Sequence, residues 1–211
     1  PWLSPAAGPG PAATSSAKDP GWGAAWQARL TVAGGGGIGL HMGLPAELPI
    51  CALADPLRDA AARGPIVVTS PTGSGKSTWV PVWAAEGARR VLVVEPRRVA
   101  CRSLARFVAR SLEVELGRQV GYAVRHEDRV GAETTIAYVT PGVALRVLAD
   151  GGIDADTVVL IDEFHQRGIE TDLLLAALLA REHRRLGVLS ATLDGDRVAR
   201  HVEGELLEAS G

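Results

Sequence analysis

Five short runs in this chain carry apolar residues with no polar alternation: Ile66-Val67-Val68, Val91 to Val94, Ile136 to Val139, Val158 to Ile161 and Gly187 to Leu189. A strand that is apolar on both sides needs cover on both sides. Helical spacing fills the intervals. Pro56 to Ala62 predicts a helix ending at Gly64, and Lys76 to Ala85 predicts another, with Pro81 in its first turns or at a kink. Val99 to Leu116 places Leu104, Phe107, Val108 and Leu112 on one face, and Val143 to Ala149 is short and apolar. Ile169 to Arg185 has Glu170 and Asp172 in its first turn and Arg184 and Arg185 in its last, as the helix dipole favours. Gly121 to Val124 adds a further strand, and a helix from about Asp194 closes the chain. Strands alternating with helices predict an α/β fold, mainly a parallel sheet with helices on both faces. Ligands of such sheets bind beyond the carboxyl ends of the strands, so the residues that follow each run carry the functional information.

After the first run comes Ser70-Pro71-Thr72-Gly73-Ser74-Gly75-Lys76-Ser77-Thr78. Strand, glycine-rich loop and helix in that order make a phosphate-binding loop. Its glycines let backbone N–H groups surround anionic oxygens, and the helix adds its positive end. Thr72 to Thr78 are therefore the candidate nucleotide-binding residues. Lys76 reaches the β- and γ-phosphates, and the Ser77 hydroxyl is a Mg²⁺ ligand. The strict pattern places Gly at position 70, where this chain has Ser70. Only Lys18 and Lys76 are lysines among 22 basic residues, which makes Lys76 the more informative.

A net charge of −2 excludes a global basic field for nucleic acid. Cys51 and Cys101 form neither a metal cluster nor a disulfide framework, which fits a reducing, cytoplasmic setting. No apolar run approaches the roughly 20 residues that span a bilayer. Residues 1 to 43 are rich in Pro, Gly and Ala and read as a disordered segment ahead of a domain over 44–211. Met42 is the single methionine, and translation is expected to start there, with the upstream residues not native coding sequence.

Asp162-Glu163-Phe164-His165 follows the run Val158 to Ile161 directly. Adjacent carboxylates at a buried strand mouth repel each other unless a cation is near. Mg²⁺ arriving with a nucleotide supplies one, with Asp162 on the metal and Glu163 as general base toward water. Alone, the pair reads first as an ordinary acidic strand-to-loop exit. Ser190-Ala191-Thr192 ends the last run and on its own is an ordinary turn. Glu95-Pro96-Arg97-Arg98 opens a helix with two arginines that oppose its dipole, an arrangement that an external phosphate would reverse; a solvated arginine pair fits as well. Thr140-Pro141-Gly142, with Arg146 one turn on, is either a strand-to-helix turn or a set of phosphate donors. Gly121 to Arg125 reads as a structural strand with Arg125 at the surface.

These pieces, in this order, resemble the first RecA-like domain of a superfamily 2 helicase of the DEAH-box class, over roughly residues 45 to 200. The Asp-Glu-Phe-His form with Glu-Pro-Arg-Arg upstream resembles the bacterial HrpB-type branch. The resemblance implies a P-loop NTPase in which Gly73, Gly75, Lys76 and Ser77 hold ATP and Mg²⁺, and Asp162 and Glu163 serve the metal and the water. It implies that His165, Ser190 and Thr192 couple nucleotide state to nucleic-acid grip, and that Arg97, Arg98 and Thr140 touch the backbone of a single strand, RNA by preference. Gln166 stands where the family has Glu, and Pro141 where it has a polar residue. The family's second RecA-like lobe, with its arginine fingers, has no counterpart after Thr192. Such fingers are worth on the order of 10³–10⁵ in rate, so the chain by itself is expected to turn ATP over slowly or not at all. Two alternatives stay open: a stand-alone nucleotide- or nucleic-acid-binding module, and an inactive truncated fragment.

Overall fold

A computed structural model of the chain describes residues 48–191 and 194–209. The expectations for residues 1–43 and for Met42 lie outside them. Eight strands form one sheet in the order β4-β3-β5-β2-β6-β7-β1-β8. They are β1 (Ile66–Thr69), β2 (Arg90–Val94), β3 (Val120–Val124), β4 (Glu127–Arg129), β5 (Ile136–Val139), β6 (Thr157–Ile161), β7 (Leu186–Ser190) and β8 (Glu205–Glu208). All neighbours are parallel except β4, which pairs antiparallel with β3. Strands β2, β3, β5, β6 and β7 are buried throughout, as their unbroken apolar runs require.

Six helices cover the sheet: α1 (Ala54–Arg63), α2 (Lys76–Glu86), α3 (Arg98–Ser111), α4 (Pro141–Ala149), α5 (Ile169–Ala180) and α6 (Gly195–Val202). Leu57, Trp79, Trp83 and Val108, from α1 to α3, join one core with Val68, Val93 and Leu160. Val147, Leu174, Leu178 and Val202, from α4 to α6, join the other with Val67, Leu92 and Ile161. The expected α/β architecture, helices on both faces, is present. Among the described residues no helix is long and apolar enough to cross a membrane.

Four boundaries differ from the sequence reading. The helix expected to reach Leu116 ends at Ser111, because Glu113 turns left-handed at φ 54°. The helix expected to reach Arg185 ends at Ala180, with Glu182 left-handed at φ 53° and the His183 N–H closing back on the Leu178 carbonyl at 3.0 Å. Arg184 and Arg185 are thus not in a last turn, and the dipole argument for them fails. The helix near Asp194 does not close the chain, since β8 follows it and pairs with β1. Finally, β4 is wholly polar, Glu-Asp-Arg, and escapes any apolar pattern. It forms by hairpin closure, helped by hydrogen bonds to Glu127 from the Tyr122 hydroxyl and from Arg102. Gly121 permits the close approach, as a Cβ there would lie 2.1 Å from the Arg129 carbonyl oxygen.

Pro81 sits inside α2 without ending it. Lacking an N–H, it leaves the Ser77 carbonyl, four residues back, without its helical donor. The buried Tyr138 hydroxyl of β5 donates to that carbonyl at 2.8 Å. A sheet residue therefore anchors the first turn of the helix that carries Lys76.

Candidate active site

The polar motifs converge at the carboxyl ends of β1, β2, β5, β6 and β7. Between β1 and α2 the loop turns at Gly73 (φ 80°) and Gly75 (φ 96°), where only glycine is unstrained. A Cβ on Gly75 would also meet Ile50 and Trp79 at 3.0 Å. Ser70 is not among the positive-φ residues, so the backbone needs no glycine there. Its buried hydroxyl shares a 2.6 Å hydrogen bond with the Ser74 hydroxyl, and its N–H donates to the Ser190 carbonyl at 3.3 Å. The departure from the strict motif thus adds a hydroxyl contact inside the loop, and the backbone, whatever the residue, makes the tie to β7.

Lys76 is buried and folds back into its own loop, its Nζ donating to the carbonyls of Ser70 and of Pro71, the latter at 3.0 Å. Burial lowers its pKa, opposed by the charges of Asp162 and Glu163. This places an ammonium group among carbonyl acceptors that anionic oxygens would replace with stronger partners.

Asp162 and Glu163 leave the end of β6. The buried Asp162 carboxyl accepts from the Glu163 N–H at 2.8 Å through Oδ1, while Oδ2 has no partner of hydrogen-bonding geometry. Burial pushes its pKa up to about 6, with the Ser77 side chain and the Glu163 N–H pulling the other way. Glu95, at the end of the adjacent β2, is a third carboxyl here. Burial, then the Asp162 charge, push it up to about 7, while the Arg97 N–H donates to its Oε1 at 3.1 Å. A buried, unsatisfied carboxylate oxygen beside a serine hydroxyl is a suitable donor pair for a hard divalent cation.

Glu163 stands in left-handed backbone geometry (φ 50°, ψ 34°), unusual for a non-glycine residue. Its Oε2 accepts from Gln166 Nε2 at 3.0 Å and lies 3.2 Å from His165 Nε2. His165 Nδ1 in turn lies 3.3 Å from the Ser190 hydroxyl. His165 and Ser190 are therefore joined to Glu163 as one network; Thr192 lies outside the described residues.

Two cavities meet at this carboxylate. One, of about 820 Å³, is lined by Thr72 to Trp79 of the loop and by Leu48, Phe107 and Arg110. The other, of about 970 Å³, is lined by Arg98, Arg125, His126, Thr140, Gly142 and Arg146. Glu163 lines both. Arg98 and Thr140 thus share one cavity, and Arg97 is exposed beside them, its Nε donating to Gln166 Oε1 at 3.3 Å. Arg125, read as an ordinary surface residue, belongs to the cleft with His126, Gln166 and Arg167. The missed signal was position, since Arg125 follows a strand at the same sheet end as Glu95, Thr140 and Asp162.

A family profile described as DEAD/DEAH box helicase matches residues 56–201, from α1 to α6. The chain belongs to the DEAD/DEAH box helicase family. It is 38% identical over 162 residues to the ATP-dependent RNA helicase HrpB of Escherichia coli (strain K12), covering 72% of this chain and 20% of that protein. It is 40% identical over 142 residues to the Caenorhabditis elegans protein named "Probable ATP-dependent RNA helicase DHX35 homolog", covering 62% and 19%. The crystal structure of the Escherichia coli DEAH/RHA helicase HrpB superposes with a TM-score of 0.71 at 34% identity, over 78% of this chain and 22% of that one. The chain spans about one fifth of the length of the relatives it matches.

Proposed function

We propose that this chain is the ATP-binding lobe of an RNA helicase, which takes Mg²⁺-ATP in the phosphate loop and a single strand of RNA in the arginine-lined cleft. The observation that carries this reading is Glu163, one carboxylate lining both cavities. The names of the relatives support RNA as the strand.

In this reading the N–H groups of Gly73 to Thr78 and the Lys76 ammonium hold the β- and γ-phosphates. Ser77 and Asp162 Oδ2 would hold Mg²⁺, whose chemistry is to neutralise charge on the phosphate oxygens. Glu163 accepts the proton of a water whose oxygen attacks the γ-phosphorus. The bond from that phosphorus to the bridging oxygen breaks, and ADP and inorganic phosphate leave. Arg98, Arg125, Thr140 and Arg146 take strand phosphates, aided by the N-terminus of α4. A second RecA-like lobe completes the site with the charge stabilisation that this lobe lacks.

Glu163→Gln tests the assignment, as it keeps shape and removes the base. Nucleotide affinity should stay within about threefold of the parent, while single-turnover hydrolysis by the protein completed with its second lobe falls by at least about 100-fold. Normal hydrolysis by Glu163→Gln would remove Glu163 from the role.

A further inference from the structure

Gln166 links Arg97, exposed beside the arginine-lined cavity, to Glu163 through its side-chain amide. Its Oε1 accepts from Arg97 Nε at 3.3 Å, and its Nε2 donates to Glu163 Oε2 at 3.0 Å. A guanidinium only donates and an ionised carboxylate only accepts, so one orientation of the amide satisfies both neighbours. The backbone holds Gln166 between them. It lies in the 3-10 turn Phe164–Gln166, and its N–H donates to the Glu163 carbonyl at 2.9 Å. At the outer end, Arg97 is exposed, and its two terminal guanidinium nitrogens have no partner among the described residues. At the inner end, Glu163 Oε2 meets both the Gln166 amide and His165 Nε2 at 3.2 Å.

We infer that Gln166 is a positioning residue that restrains Glu163 until a nucleic-acid phosphate engages Arg97. The inference rests on the proposed role of Glu163 and on the strand contact that the family resemblance implies for Arg97. A carboxylate oxygen already engaged by two neighbours is held away from other orientations. The Arg97 guanidinium has a stronger partner in a phosphate than in a neutral amide oxygen at 3.3 Å. When a phosphate draws Arg97 away, the amide loses its outer anchor, and Glu163 is free to turn toward a water in the phosphate-loop cavity. Strand binding thereby raises hydrolysis through two hydrogen bonds, without movement of the sheet. By linkage, any change that the strand makes in the affinity for Mg²⁺-nucleotide is matched by an equal change that the nucleotide makes in the affinity for the strand.

The test uses the 211-residue chain with oligouridylate as the strand. Single-turnover hydrolysis of Mg²⁺-ATP is measured with and without it for the parent, Gln166→Ala and Gln166→Met. The methionine variant keeps the length of the side chain and loses both the acceptor toward Arg97 and the donor toward Glu163 without adding charge, so it controls for packing. Both variants should show a stimulation ratio near one, with the unstimulated rate of Gln166→Ala raised to the parent's stimulated rate. The double variant Arg97→Ala/Gln166→Ala should be no less responsive than either single one. An unchanged ratio in both variants, or a lowered unstimulated rate with the ratio kept, overturns the inference. A second readout needs no turnover: oligouridylate should change the affinity for Mg²⁺-ATPγS and not for Mg²⁺-ADP, and Gln166→Ala should abolish that difference. If the parent binds no nucleotide, the reading of the site itself fails. If it binds nucleotide and strand but Gln166 carries no coupling, only the relay fails.

Discussion

Exposed charge at the amino ends of the parallel strands and buried charge at their carboxyl ends are handled in opposite ways. At the amino ends, acids and bases pair with one another. Arg58 binds Glu86 at 2.6 Å, Arg63 binds Glu205 at 2.6 Å, and Arg89 binds Asp154, which also accepts from the Thr157 hydroxyl at 2.7 Å. At the carboxyl ends, Glu95 and Asp162 are buried beside each other, and the nearby cation, Lys76, is turned onto backbone carbonyls. A fold under no other demand would pair those groups. Burial of like charges at one end of the sheet marks the end that awaits a ligand.

Removing charge at the two ends should therefore have effects of different size and kind. The largest is expected for Lys76→Ala, which should weaken Mg²⁺-nucleotide binding by about 10- to 100-fold or more, the scale of a charge-assisted hydrogen bond. Equilibrium titration with a fluorescent nucleotide measures it, and the fold should be kept.

Next comes Glu95→Gln. The folded chain holds the Glu95 proton up to about 7, against an ordinary value of 4.5. Between those values the folded state binds more protons than the unfolded state, so stability falls as pH rises through that window. The substitution should flatten the fall and stabilise the nucleotide-free chain at pH 8 by on the order of 1–3 kcal/mol. Urea denaturation at several pH values checks it; a slope as steep as the parent's would contradict the assignment.

Tyr138→Phe should cost about 1–2 kcal/mol, because it leaves the Ser77 carbonyl without its donor. For a domain of this size that lowers the melting temperature by about 2–4 °C per kcal/mol. At the amino ends, Arg63→Ala breaks an exposed pair and should change stability by less than about 1 kcal/mol, and less still in high salt. If Arg63→Ala destabilised more than Tyr138→Phe, the contrast between the ends would collapse.

The sequence exposed this contrast unevenly. The five central strands were legible because burial on both faces forces unbroken apolar runs, and the phosphate loop was legible because glycine spacing and Lys76 are local features. β4 and β8 were not, since a hairpin partner and an edge position made strands of Glu-Asp-Arg and Glu-Leu-Leu-Glu. The ends of α3 and α5 were lost to single left-handed glutamates, which no periodicity announces. At the site, Ser70 looked like a defect because the partner of its hydroxyl, Ser74, is visible only in three dimensions. Gln166 looked like a departure from the family, and its place between Arg97 and Glu163 depends on two side-chain contacts that spacing does not encode.

The central claim is that the charges left unpaired at the carboxyl ends form a nucleotide site with Lys76 at its centre. Calorimetric titration of Mg²⁺-ATPγS into the parent chain and into Lys76→Ala tests it most directly. The account predicts one saturable site in the parent that is lost or severely weakened in the variant, with both chains folded. Equal binding by the two would contradict it.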